Sequence, residues 1–335
     1  GRAQAASPGW DLQGAVGVWA GGRDGVWGAA WEGGWEEEQD VVAGRGDAPM
    51  KVTVTGGKGG TGKSTVATNI ALLLAENYRT VLADADVECP NDYILLNASL
   101  QDEREVLLFK PRFVYSKCIK CGLCKRNCSE SAIVMFPEGF PFLLPNLCSG
   151  CRTCQIVCPV DGAIEDDFRL VGHTYRTEIE KNLVLITGML KEGEERSYPT
   201  VVEVRRRAQK EEADVYLFDT MPGTGNHVAV AVEDSKVVIA VTEPTPLGIH
   251  DLEMILKLLK KLEIKGWVVV NRSDMASVNH RPVVERYGAE IIAEIPQSEE
   301  VLKSYVKGTP LVRKYPNSEI AGIFRDIVKR IEEVM

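Results

Sequence analysis

Eight of the nine cysteines in this 335-residue chain form two copies of one spacing, set thirty positions apart. They are Cys118-x2-Cys121-x2-Cys124-x3-Cys128 and Cys148-x2-Cys151-x2-Cys154-x3-Cys158. No other feature constrains the fold as much, because the two copies interrupt a second pattern. Before them come a glycine-rich segment, 56–65, and an apolar run ending at Asp84 and Asp86; after them another apolar run ends at Asp219 and Gly223. One domain is therefore expected to be assembled from two stretches of chain, with a small cysteine-bearing domain inserted between them.

The glycine-rich segment has a specific chemistry. Lys51 to Thr55 alternates like a strand, Gly57-Lys58-Gly59-Gly60-Thr61-Gly62-Lys63-Ser64 fits G-x4-G-K-[ST], and Val66 to Asn77 continues as an apolar helix. Strand, loop and helix in that order are the context a phosphate-binding loop requires. Glycines let the backbone turn its N–H groups toward phosphate oxygens, and the helix N-terminus adds partial positive charge. Lys63 is expected to reach the β- and γ-phosphates of a bound nucleotide, ATP or ADP, and the Ser64 hydroxyl to ligate Mg²⁺. Gly57, Gly59, Gly60, Thr61, Gly62 and Thr65 complete the predicted cradle.

The string Lys58-Gly-Gly-Thr-Gly-Lys63-Ser-Thr65 resembles the deviant Walker A motif of the MinD, ParA, Mrp and nitrogenase-iron-protein superfamily. That resemblance implies a nucleotide-dependent homodimer in which Lys58 reaches the partner's phosphates, much as an arginine finger does. Asp84-Ala-Asp86-Val-Glu-Cys-Pro-Asn91 looks like the superfamily's switch I. By the same resemblance Asp86 would orient the attacking water and Asp84 would hold the magnesium hydration shell. Val215-Tyr-Leu-Phe-Asp219-Thr-Met-Pro-Gly223 resembles the Walker B and switch II segment, in which Asp219 would bind a magnesium water. An asparagine after a late strand contacts adenine in such ATPases, which makes Asn271 the candidate here.

Strands expected at 236–242, 267–271 and 290–295 alternate with helices expected near 248–262, 282–287 and 318–334. Such alternation predicts an α/β fold with a mostly parallel, doubly wound sheet covered on both faces, and ligands at the carboxyl ends of its strands. The C-terminal helix is amphipathic, but Asp326, Glu332 and Glu333 reduce attraction to anionic lipid, so a packed helix is expected.

The cysteine spacing resembles that of bacterial ferredoxins, in which each run gives three cysteines to one cubane and its fourth to the other. The resemblance implies two [4Fe-4S] clusters, one held by Cys118, Cys121, Cys124 and Cys158, the other by Cys148, Cys151, Cys154 and Cys128. The second run ends in Cys158-Pro159, whereas the first ends in Cys128-Ser129, a departure that removes no ligand. Zinc has no use for the third cysteine of each run, and disulfides are rare beside an intracellular ATPase motif. The expected domains are 50–108 and 169–335 for the ATPase and 109–168 for an α+β, ferredoxin-like insert.

Residues 1–49 hold five of the six tryptophans with three basic and eight acidic residues, thus −5 of the chain's net −9. Without helical or alternating period, they are expected to be disordered or a non-native extension. The acidic balance argues against nucleic acid as a partner, and no apolar run of membrane-spanning length or secretory pattern is present, which predicts a cytoplasmic protein. The four histidines are scattered, with no spacing suited to metal. The whole pattern resembles MinD-like ATPases with an inserted ferredoxin domain. ATP-gated electron transfer to a redox partner is the function favoured. Alternatives are an iron-sulfur cluster carrier of the Mrp type, delivering to an acceptor protein, and a MinD or ParA-type positioning switch.

Overall fold

A computed structural model describes residues 49–335, so all but the last residue of the N-terminal segment lies outside the described residues. Contacts divide the described chain into two compact units, Phe109–Arg169 and the remainder.

The larger unit begins with β1 (Met50–Thr55), which feeds the glycine loop and α1 (Lys63–Ala75). β2 (Thr80–Ala85) and a one-turn helix, α2 (Asp92–Leu95), follow. The chain passes along β3 (Arg104–Phe113) into the cysteine unit. That unit contains α3 (Leu123–Arg126), β4 (Ile133–Met135), β5 (Pro141–Leu143) and α4 (Thr153–Ile156). The return path is β6 (Ile164–Glu180), which leads into β7 (Leu183–Leu190) and α5 (Tyr198–Gln209). Thereafter strand and helix alternate: β8 (Val215–Thr220), α6 (Asn226–Val232), β9 (Val237–Thr242), α7 (Pro246–Lys261), β10 (Lys265–Asn271), α8 (Arg281–Arg286) and β11 (Glu290–Ile295). Three helices close the chain: α9 (Glu299–Val306), α10 (Leu311–Lys314) and α11 (Glu319–Glu332).

The sheet runs β11-β10-β9-β1-β8-β2-β7-β6-β3. Every pairing from β11 to β7 is parallel, and β6 returns antiparallel to β7. Successive side chains of a strand face opposite ways, which explains the two cores. Leu82, Leu217 and Ile239 point to the face covered by α1 and α11, while Val81, Phe218 and Val238 point to the face covered by α5, α6 and α7. Both faces being covered, the central strands β1, β2 and β9 are buried along their whole length.

Among the boundaries that differ from those read in the sequence, two have a clear local cause. α7 starts at Pro246 because Pro is suited to the first helical turn and the Thr245 side chain caps it, accepting from the Gly248 N–H at 2.9 Å. β10 starts at Lys265, two residues ahead of the first apolar one used to locate it, because its register with β9 begins at Lys265 opposite Val237. The C-terminal helix packs as expected, burying Ile320, Phe324, Ile327 and Ile331 against the sheet and α1. No helix among the described residues is long and apolar enough to cross a membrane. Phe324→Ala removes a fully buried ring and should lower unfolding free energy by about 3–5 kcal/mol, seen as a lower urea midpoint with unchanged slope.

Candidate functional site

The glycine loop is shaped by what stands beside it. Gly62 caps α1 with φ of 96°, and a Cβ there would lie 2.4 Å from the Asn271 Nδ2. At Gly57 a Cβ would lie 2.1 Å from that of Asp251 on α7, so only glycine lets the loop pass this closely. Asn271, at the end of β10, donates to the Thr61 carbonyl at 2.8 Å and accepts the Arg272 N–H at 3.0 Å. In this protomer, then, its side chain braces the loop. Gly59 and Gly60 are exposed at the loop's crest, and the Thr65 carbonyl is held within α1 by Asn69.

Lys63 is buried, with its ammonium 3.4 Å from the Lys58 carbonyl. Ser64 donates to Asp219 Oδ2 at 2.5 Å, and the Gly223 N–H donates to the Gly56 carbonyl at 3.0 Å. The loop and the segment after β8 are therefore tied by one side-chain and one backbone bond. Lys58 is paired at 2.8 Å with Glu243, at the end of β9, and the other oxygen of that buried carboxylate pairs with Arg272.

The carboxylates come together through sheet register. Asp84 on β2 stands directly opposite Asp219 on β8 in a parallel pair, both at strand ends and both buried. Asp84 accepts from three backbone N–H groups, those of Asp86, Asn91 and Asp92, at 3.0–3.1 Å, and so folds the loop after β2 back over itself. That turn delivers Asp92, a residue the sequence reading missed. One carboxylate oxygen each from Asp84, Asp92 and Asp219 lies within 4.8 Å of the others. Burial pushes all three carboxyls up, Asp219 from 3.8 to about 7 despite the opposing effects of Lys63 and the Ser64 hydrogen bond. Asp86 is raised by burial too, with Lys63 as the main opposing charge. The donor set suits a hard divalent cation: oxygen ligands, high negative charge and carboxylate atoms with no other partner, Asp219 Oδ1 among them.

The cysteine unit has an internal repeat in its backbone. α3 and α4 are thirty residues apart, each led in by a left-handed residue, Gly122 at φ of 71° and Arg152 at 59°, with Lys120 and Gly150 left-handed two positions earlier. Alternating handedness of this kind turns successive N–H groups into one concavity. All nine cysteines are free of disulfides. A pocket is lined by Cys118, Cys121 and Cys124 of the first copy and by Cys158 of the second, while Cys128 and Cys151 both act electrostatically on Cys148. Cys124 and Cys154 are buried among Ile133 and Ile164. Burial raises the Cys124 and Cys148 thiols and pushes Cys154 up to about 12, so the thiolate forms here would need a cationic group to hold them. β4 and β5 pair antiparallel between the two copies.

A strand–loop–helix with a buried lysine, a helical serine and acidic residues on adjoining strand ends defines a nucleotide-binding domain of the P-loop class. The chain belongs to the family described as the CobQ/CobB/MinD/ParA nucleotide binding domain, whose profile matches residues 52–311. An uncharacterized protein of Methanocaldococcus jannaschii is 31% identical over 286 residues, 85% of this chain and 96% of that one. An iron-sulfur cluster carrier protein of Salmonella typhimurium is 22% identical over 296 residues, 84% of this chain and 65% of that one. Among solved structures, the septum site-determining protein MinD of Pyrococcus horikoshii, complexed with Mg-ADP, covers 86% of this chain and 97% of its own at a TM-score of 0.55 and 17% identity. The mostly parallel α/β sheet is thus that of MinD.

With no metal bound, the folded protein keeps a proton on Asp219 up to about pH 7, whereas an unfolded chain releases it near 3.8. Between those values the folded state binds more protons, so the metal-free protein should lose stability as pH rises from about 4 to 7. Asp219→Asn should flatten that loss in urea titrations run across this range without metal; an equally steep loss in the variant would show that other groups cause it.

Proposed function

We propose that this chain is a Mg²⁺-dependent ATPase whose nucleotide cycle gates electron transfer through two [4Fe-4S] clusters. The observation that carries the reading is the crossed grouping of cysteines, Cys158 in one cavity with Cys118, Cys121 and Cys124, within a chain that also has the P-loop site. Cys148, Cys151, Cys154 and Cys128 would hold the second cluster. When bound, the clusters supply one-electron storage at potentials set by their surroundings.

At the nucleotide site, Gly57 to Thr65 would cradle the phosphates, Lys63 would neutralise β- and γ-oxygens, and Ser64 would exchange its bond to Asp219 for the cation. Magnesium would supply charge neutralisation between the phosphates, its water shell held by Asp84 and Asp219. Asp86, the least buried of the clustered acids, would orient water for in-line attack. Lys58 would leave Glu243 to meet the phosphates of a second protomer in an ATP-bound homodimer, and Asn271 would meet the adenine. The redox partner would be a protein acceptor in the same cytoplasm.

Cluster delivery, as the name of the Salmonella relative suggests for that protein, is the second reading. One feature favours resident clusters here: each predicted set of four cysteines is complete within the insert.

Lys63→Ala should weaken ATP binding by roughly 10- to 100-fold, measured by calorimetry; wild-type affinity would remove the P-loop assignment. Cys151→Ala should lower iron content by about half while leaving one cubane's spectrum. In anaerobic voltammetry of the intact protein, ATP should shift a cluster potential or the rate of transfer to an acceptor. No change in either would exclude gating, and passage of both clusters to an apo-acceptor would favour delivery.

A further inference from the structure

Asp92 stands apart from the other acids of the site. It is fully buried, and neither of its carboxylate oxygens has a hydrogen-bond partner. Asp84, by contrast, is engaged by three backbone N–H groups and Asp219 by Ser64. The main charges acting on Asp92 are those of Asp84, Asp219 and Asp86, all acidic. Lys63 acts on Asp219 and Asp86. Leaving a carboxylate buried and unpaired is costly, and buried charges are ordinarily paired or bound to metal.

We propose that Asp84, Asp92 and Asp219 form a divalent-cation site that fills before nucleotide arrives, with Asp92 as its third carboxylate. The geometry fits: ligand oxygens about 2.1 Å from a six-coordinate ion of magnesium size stand roughly 3–4 Å apart, inside the 4.8 Å span of the three donors. Both strand-end aspartates are fixed by sheet register, and Asp92 is brought to them by the turn that Asp84 itself holds. The site lies beside Ser64 through Asp219, so an ion there stands next to the place where a nucleotide's cation is required. Pre-loading would spare the incoming polyphosphate its repulsion from three buried acids. This deepens the nucleotide-site reading above and rests on it only for that last consequence.

The test is a titration of the cluster-loaded full chain with Mn²⁺ under anaerobic, nucleotide-free conditions, following loss of the free-ion EPR signal. Wild type should take up a single Mn²⁺ and gain unfolding temperature as it does. Asp92→Asn should weaken uptake by roughly tenfold or more. Absence of uptake and of thermal stabilisation in the nucleotide-free wild type would overturn the proposal whatever the variant does. Equal uptake by wild type and a folded Asp92→Asn would overturn it too. Should wild type bind Mn²⁺ in an Asp92-dependent way yet fail to bind ATP, the cation site stands and the nucleotide reading falls.

Discussion

The parallel register of β2 against β8 is the constraint on which the site depends. It sets Asp84 beside Asp219 at the carboxyl edge of a sheet covered on both faces, where water cannot solvate them. Adjacent strands lie about 4.8 Å apart, so two carboxylates in register are forced close, and the loop after β2 adds a third. A fold that only needed stability would not collect acids there. Lys63 is the main cation set against Asp219 and Asp86, and it opens α1 at the end of the loop that follows the next strand, β1. Loop, strand ends and first helix are consequently one electrostatic unit, and the bonds from Ser64 to Asp219 and from Gly223 to Gly56 are its internal ties.

Connectivity adds a second constraint. β2 and β8 are neighbours in the sheet but are separated in sequence by the entire cysteine unit, β7 and α5. The chain between the two segments that meet at the nucleotide site must pass through the unit that holds the cysteine cavity. β3 leads into that unit and β6 leads out of it, each strand belonging partly to both units.

Local patterns were legible in the sequence because their physics is local. The P-loop needs its glycines at fixed offsets, and Gly62 shows why: its left-handed φ and its approach to Asn271 exclude any side chain. The cysteine copies were legible for the same reason, with paired left-handed residues inside each run. β8, β9 and β10 appear as apolar runs because both faces are buried. β6 was not legible: residues 164–180 mix Arg, Glu, Asp and Thr with Val and Tyr, the composition of a strand at the edge of the cover, and its length exceeds any apolar run. Asp92 carries no signal in the sequence that sets it apart from a turn residue after Pro90-Asn91, and only the three hydrogen bonds to Asp84 reveal what it faces. Glu243 was invisible for the same reason, since its pairing with Lys58 joins segments 185 positions apart.

That Glu243 pair sharpens what Lys58 contributes. An ammonium free to reach a second protomer would stand in water. Here it is partly covered and held by a buried carboxylate that Arg272 also engages. Releasing it leaves Glu243 with Arg272, so the acid is not stranded and the cost of release is limited. The same arrangement keeps the ammonium away from the loop's own phosphate cradle until something more negative than one carboxylate competes for it. In the proposed homodimer a polyphosphate presented by a second copy of the chain would meet that description, and charge would then favour dimer over monomer only in the nucleotide-bound state.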